Sequence, residues 1–454
     1  MRRMWIALML GLVACGSSTN NNDLDGGSDS GTDAGPGEAW KAFDVDTTSS
    51  HNQLSSIPQL AIAVRSGNGD TADTVGMAWF EPTFINDLSK QEYALKYAAF
   101  DPSGAGQLGE VETVREGLIS LYGVNLTFGM DGQPIVTYLG GNPSAPPAEG
   151  GETYWFQGDC AVAYRSSGGG WGQEQLCAQE SNDVPWGTPV DDNGSVVGLF
   201  PAVGVASDGT TYVAYRDVHF GQSPSGDFGK SDWELSFGGP TTWTHQMIQA
   251  GGDNGKSYGG HSQMVMVDDQ PAVICDQMPN TANGAGSNVL FEKRLADGGW
   301  AGPTAPVLTI PNLQSGASLA HDVDLGFAVA AVNKDQNQLV FTRSPDGVSQ
   351  WTTPDPVVQT GTTGWYPSLA VSPATHDPSI AYYHCSSNPG VAEGSCPAEQ
   401  DELRIAEEVA GHWNVSTVDT DGAFQPKLAF LSNGKRVILF RHPKTGVVRL
   451  RVEQ

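Results

Sequence analysis

The sequence predicts an all-β fold, a seven-bladed β-propeller of four-stranded antiparallel blades closed by pairing of the N- and C-terminal strands. Three observations predict it: a four-strand pattern that repeats along the chain, tryptophans that recur at the start of its fourth strand, and chain ends carrying complementary fragments of one repeat. The 57 glycines and 28 prolines among 454 residues supply turns for many short strands, and a hydrophobic fraction of 39% is enough for a substantial core.

The chain opens with Arg2 and Arg3 ahead of an apolar run from Ile6 to Ala14. A helix rising about 1.5 Å per residue over so short a run cannot cross a hydrocarbon layer of about 30 Å, so residues 1–14 read as a signal peptide. The run ends Leu12-Val13-Ala14-Cys15-Gly16, which resembles the lipobox of bacterial lipoproteins. That resemblance implies removal of the leader, acylation of Cys15 (palmitate among the chains) and a membrane partner reached through the N-terminal lipid anchor. Gly16 in place of Asp implies passage to the outer membrane, facing either the periplasm or the cell surface. Residues 15–38 then read as a flexible acidic Gly/Ser/Asp linker, because they bury too little apolar surface to offset chain entropy. Such a linker after a lipobox resembles lipoproteins of myxobacteria. The propeller is expected over residues 39–454.

Within that body, a clear repeat begins at Pro367-Ser368-Leu369-Ala370-Val371. Ser379 to Tyr383 is its second strand, Leu403 to Glu407 its third, and Trp413 to Val418 its fourth. Further copies start near Pro58, Val124, Pro201, His261 and Ala317, and a last one at Pro426 stops after three strands. Trp40, Trp171, Trp243, Trp300, Trp351 and Trp413 open fourth strands, with Leu108 in that place in the first copy. The segment Ala39 to Val45 is a fourth strand without partners, so its pairing with the final copy completes a seventh blade and removes two exposed edges.

One connection carries a family resemblance. Ser344-Pro345-Asp346-Gly347-Val348-Ser349-Gln350-Trp351 resembles the Asp-box of the sialidase-like propellers, with its glycine one place early, and Asp297-Gly298-Gly299-Trp300 is a shorter relative. As an enzyme resemblance it implies three arginines on a carboxylate, a Tyr nucleophile paired with Glu, and an Asp acid. Here only Arg216 and Arg441 are well placed for that role, and the family's Arg-Ile-Pro motif is absent.

Of the five cysteines after Cys15, Cys160 and Cys177 stand symmetrically about the turn at Gly168-Gly169, and Cys385 and Cys396 bracket one long loop. Two disulfides are expected, which fits an oxidising compartment. Cys275 lies beside Val273 and Ile274 and reads as a buried apolar residue.

A net charge of -28 excludes a nucleic-acid partner, since no clustered Lys and Arg exist to neutralise phosphates. Long insertions fall on the face where second strands end, so recognition is expected there. The tentative ligand-binding residues are Arg216, Asp276, Tyr383 and Arg441 at one level, Glu81, Asp217 and His384 one step outward, and Trp155 and Trp365 as aromatic planes. No catalytic residue and no metal ligand is assigned, and no cofactor is expected, calcium being the one candidate. Asp419, Asp421 and Gly422 begin like a calcium loop but lack the bidentate Glu. The expected function is a non-catalytic binding propeller for a glycan or a cell-surface protein. The alternatives are a glycan-active enzyme (a sialidase-like hydrolase, or a polysaccharide lyase using His384, Tyr383 and Arg216) and a structural part of an envelope assembly.

Overall fold

A computed structural model describes residues 39–46, 60–67, 72–83, 93–118, 123–141, 158–179, 196–218, 231–251, 257–278, 286–313, 316–333, 338–358, 362–385, 396–397, 400–443 and 445–454. Cys15 and Trp155 lie outside them, and of Trp365 only the backbone is described. The described elements are all strands, with no α-helix among them, and the paired strands are antiparallel apart from one bridge.

β1 (Trp40–Asp46) is followed by β2 (Leu60–Arg65), β3 (Thr74–Pro82), β4 (Tyr93–Asp101), β5 (Gln107–Leu108) and β6 (Glu112–Leu118). β2 to β6 form one sheet in which β5 and β6 both pair with β4. The fourth strand expected at Leu108 is thus split, and the turn at Gly109 separates its halves. β7 (Val124–Phe128), β8 (Pro134–Gly141), β9 (Gly158–Tyr164) and β10 (Gln175–Ala178) make the next sheet.

β11 (Val196–Val205), β12 (Thr211–Val218), β13 (Ser231–Gly238) and β14 (Trp243–Gln249) are joined to a second set in one nine-stranded sheet. That set is β15 (Ser257–Val267), β16 (Gln270–Met278), β17 (Gly286–Arg294), β18 (Trp300–Ala301) and β19 (Leu308–Leu313). The junction is a single parallel bridge, Ser231 to Ser257, where the two serine hydroxyls lie 2.8 Å apart.

β20 (Ala317–Asp322), β21 (Gly326–Asn333), β22 (Gln338–Ser344) and β23 (Asp355–Val358) form another sheet. So do β24 (Thr362–Val371), β25 (Pro378–Cys385), β26 (Asp401–Val409) and β27 (His412–Asp419). The last sheet holds β28 (Phe424–Phe430), β29 (Arg436–Arg441) and β30 (Val448–Glu453), and its fourth member is β1. Trp40 pairs with Glu453 and Phe43 with Leu450, so the two chain ends share one ladder as expected.

The first strands pack side by side in sequence: β2 on β7, β7 on β11, β11 on β15, β15 on β20, β20 on β24, β24 on β28, and β28 on β2. Alternating apolar residues then bury both faces of each strand set. Leu95, Leu126 and Val136 meet in one such layer, and Ile274, Phe291 and Val329 in another. Trp79, Val437 and Leu450 join the last sheet to the first. Each fully buried side chain of this size contributes about 1.5–3 kcal/mol.

The turn at Ser344 to Trp351 shows why its residue types recur. Asp346 Oδ1 accepts from the Ser349 and Val348 N–H groups (2.8 and 2.9 Å), which hold its carboxyl below the usual range. Trp351 Nε1 donates to the Gly347 carbonyl at 3.0 Å, and its ring meets Phe291 edge-on. Gly347 has φ 79°, and a Cβ there would stand 2.4 Å from the Phe291 ring, so only glycine fits. Both disulfides are present: Cys160–Cys177 ties β9 to β10 and Cys385–Cys396 anchors the end of β25. Cys275 is buried, and burial pushes its thiol well above the ordinary range.

Candidate functional site

Four of the seven first strands carry the same irregularity. Phe200, His261, Tyr366 and Gln425 have φ of 52°, 46°, 54° and 51°, and the pairing with the second strand skips at each of them. Non-glycine residues in this region cost about 1–3 kcal/mol each, and bulges of this kind re-aim side chains. All four line a cavity of about 180 Å³ among the first strands. This repeated bulge is the feature that sequence reading missed; the only trace of it in the sequence is the proline that follows Phe200, Tyr366 and Gln425.

His261 is the member with a buried carboxylate partner. Its Nδ1 lies 2.7 Å from Asp276 Oδ2, the carboxylate being 1% exposed and the ring 9%. Desolvation pushes the Asp276 carboxyl up, and the hydrogen bond from His261 draws it back. With the ionised carboxylate accepting, Nδ1 carries the proton and Nε2 the lone pair, the tautomer of a general base. The ring stacks at a tilt on Phe200, centroids 4.7 Å apart. Gly316 (φ 76°) presses against it so closely that a Cβ would stand 2.8 Å from that of His261. The ring is held from three sides.

The predicted strand-end residues do stand at one register level. Arg216, Asp276, Tyr383 and Arg441 pair with Leu199, Gly260, Trp365 and Phe424, each immediately before a bulge. Their side chains are buried behind the cavity wall. Arg216 donates to Ser231 Oγ (2.8 Å) and Ser257 Oγ (2.7 Å), bracing the bridge between β13 and β15. Arg441 donates to the Phe80 and Gly446 carbonyls, and burial lowers its pKa to about 10 against the pull of Asp46 and Glu81. Tyr383 packs with Tyr366, Phe424 and the Cys385–Cys396 bridge; burial, then Asp401, raises its hydroxyl pKa. Asp217 and His384 are buried one residue further out, and Glu81 pairs with Lys96 at 3.3 Å. The structure therefore brings Asp276 to a cavity residue and places the others in the supporting layer.

The titratable side chains in the cavity lining are His261, Tyr366 and Lys427, with no Asp or Glu among the lining residues described. Burial lowers the Lys427 pKa to about 8.

The calcium candidate at Asp419 and Asp421 is occupied by contacts within the protein. Asp419 accepts from Arg451 Nε at 2.8 Å and Asp421 from Arg449 at 3.2 Å, so both carboxylates are engaged by guanidinium groups. A group able to hold a metal ion is formed instead by Asp322, Asp324 and His376, on the turns after β20 and β24. His376 Nδ1 lies 2.9 Å from Asp322 and Nε2 3.3 Å from Asp324, an imidazolium clasp between neighbouring sheets. The Asp322 hydrogen bond raises the His376 pKa. The Asp322 carboxyl is pushed up by burial but falls on balance through bonds from His376, Asp324 and Leu325. A raised folded-state pKa stabilises fully below the unfolded value of about 6.5 and loses that contribution as pH climbs through the folded value. The thermal midpoint of wild type should therefore exceed that of His376→Leu most near pH 5.5–6, with the gap closing at alkaline pH. A gap independent of pH would show that His376 acts only by packing.

No family model matches the chain, and no curated protein matches it in sequence. Among solved structures it is similar to the polysaccharide lyase Uly1, with a TM-score of 0.51, 11% identity, and 89% of this chain and 91% of that one covered. It also aligns with the NanB sialidase from Streptococcus pneumoniae (TM-score 0.46, 8% identity, 89% and 93% covered). A third is a Penicillium chrysogenum α-L-arabinanase (0.46, 10%, 91% and 98%). The chain thus shares its all-β fold with that polysaccharide lyase. The expectation of a non-catalytic binding propeller is corrected by this likeness: the solved structure that shares the fold is an enzyme, which is the alternative reading. In the cavity wall, His261 is held by the buried Asp276 carboxylate.

Proposed function

We propose that this chain is a glycan-active enzyme of the lyase type, cleaving an acidic polysaccharide by β-elimination at the mouth of the central cavity. The observation that carries this reading is the chemistry of the lining: the His261 imidazole, held by the buried Asp276 carboxylate, with Tyr366 and Lys427 in the same wall. Elimination requires one base and one acid, and the lining offers an imidazole and a phenol for these roles. His261 Nε2 takes the proton next to the sugar carboxylate, the C–C double bond forms, and the glycosidic C–O bond breaks. The Tyr366 hydroxyl protonates the leaving oxygen. Asp276 is a positioning residue that keeps the proton on Nδ1; Arg216, Asp217, Tyr383, His384, Arg441 and Glu81 form the layer that supports the bulges. A cavity of 180 Å³ is smaller than ligand pockets of about 300–1,000 Å³, so one sugar ring enters while the polymer crosses the mouth. The test is a panel of acidic and neutral polysaccharides, followed by the ultraviolet absorbance of the new conjugated double bond. Release of saturated products alone would make the protein a hydrolase.

The same proposal includes a seven-bladed ring, supported by the cyclic packing of the first strands and the shared ladder of β1 and β30. It also includes export and an outer-membrane lipid anchor at Cys15, supported by the lipobox resemblance and by two disulfides. Cys15→Ser should move the protein from the membrane fraction to the soluble fraction. Equal membrane retention without detergent would remove the anchor.

A further inference from the structure

We propose that the central cavity contains an anion site on Lys427, taking a carboxylate or another small oxyanion. The site goes beyond the catalytic reading, because it concerns a ligand held whether or not a glycan is cleaved. Equivalent positions on the first strands form a ring: Ala61, Asn125, Gln263, Ser318, Ser368 and Lys427 all line the cavity. Three of them perform one task. Gln263 Oε1 accepts from Leu319 N–H (3.0 Å), Ser318 Oγ from Leu369 N–H (2.9 Å), and Ser368 Oγ from Leu428 N–H (2.8 Å). Each stitches its strand to the next one around the cavity. At the following place in the ring stands Lys427, whose ammonium has three donors and no acceptor. It cannot repeat the stitch; Ala61 has no polar side-chain atom and Asn125 Oδ1 accepts from the N–H of its own neighbour Leu126 (2.8 Å), which leaves Lys427 as the one cation among these six.

Among the described residues, no hydrogen bond or ion pair engages Lys427 and no Asp or Glu is in the lining. Burial is the whole cause of its lowered pKa, with no counter-charge acting on it. Lys427 is half-buried, and an ammonium partly withdrawn from water without a partner carries a desolvation cost that a bound anion offsets. The neighbouring hydroxyl and amide side chains add neutral polar contacts without adding negative charge. The chemistry selects an oxyanion over a cation, and the cavity volume selects a small one. A free inorganic anion and the carboxylate of a sugar satisfy it equally.

The test uses the full chain and its Lys427→Met variant, both checked for folding by circular dichroism. Thermal unfolding is followed at fixed ionic strength with sodium glucuronate, inorganic phosphate or glucose. Wild type is expected to be stabilised by an anion and not by glucose, and the variant to bind that anion at least tenfold more weakly. Stronger stabilisation by glucuronate assigns the site to sugar carboxylates, and stronger stabilisation by phosphate assigns it to free oxyanions; either supports it. A wild-type midpoint moved by neither anion, or a variant that responds as wild type does, overturns it. As a second readout, the same anion should slow acylation of Lys427 at pH 8 several-fold, measured on its proteolytic peptide. Labelling unaffected by anions also overturns the site. Because none of these measurements involves turnover, they separate failure of the anion site from failure of the lyase reading.

Discussion

Replacing His261 with alanine is expected to lower kcat on the cleaved polysaccharide by about 10²–10⁴-fold, the range for removal of a general base. The substitution also strands Asp276, a carboxylate 1% exposed whose pKa burial already pushes up. Leaving a buried group without its partner costs about 3–5 kcal/mol, so the alanine variant alone could lose activity by unfolding. His261→Gln separates the two effects, since its amide still reaches the carboxylate but cannot titrate. A folded glutamine variant as inactive as the alanine variant supports a base. Near-normal turnover by either folded variant removes His261 from the chemistry. Asp276→Asn should reduce kcat less and shift the acidic limb of the pH–rate profile, as befits a residue that sets the ring's tautomer.

Deleting Ala39 to Val45 is expected to destabilise the whole body cooperatively, not to fray one end. β1 is the outer strand of the last sheet, yet its residues reach two neighbours. Trp40, 7% exposed, packs with Leu403, Ile405 and Phe440, and the Arg436 guanidinium lies 5.4 Å from its ring centre. Asp46 at the other end accepts from Trp79 Nε1 at 2.8 Å, tying β1 to the first sheet. Loss of the tryptophan alone costs about 3–5 kcal/mol, against a total stability of about 5–15 kcal/mol for a typical domain. The checks are calorimetry and hydrogen exchange. A large fall in the unfolding midpoint with one transition is expected, and an unchanged midpoint would count against ring closure.

Much of the architecture was legible because it depends on local rules. Period-two alternation over Leu403 to Glu407 marks a strand wherever it sits, and β26 spans Asp401–Val409. The Gly168-Gly169 turn placed Cys160 and Cys177 on facing strands, and the bridge forms there. The Asp-box turn closes through bonds within eight residues. Arg216, Asp276, Tyr383 and Arg441 were placed at one level by counting from second-strand turns, and the register agrees.

What the chain could not disclose was direction. Counting residues along a strand predicts which side chain alternates inward, but a bulge breaks that alternation for one residue. Phe200, His261, Tyr366 and Gln425 turn into the cavity for that reason, while Arg216, Tyr383 and Arg441 point behind its wall. His261 and Asp276 are fifteen residues apart, and their 2.7 Å contact exists only because β15 and β16 pair with that skip. Lys427 likewise looks like one more strand residue until seven strands from the whole length of the chain enclose a common space. Strand identity, turn type and disulfide partners follow from interactions over a few residues and so are written in the sequence. The His261–Asp276 contact and the place of Lys427 in the cavity wall arise from contacts and desolvation that span the chain, and those only the assembled fold could supply.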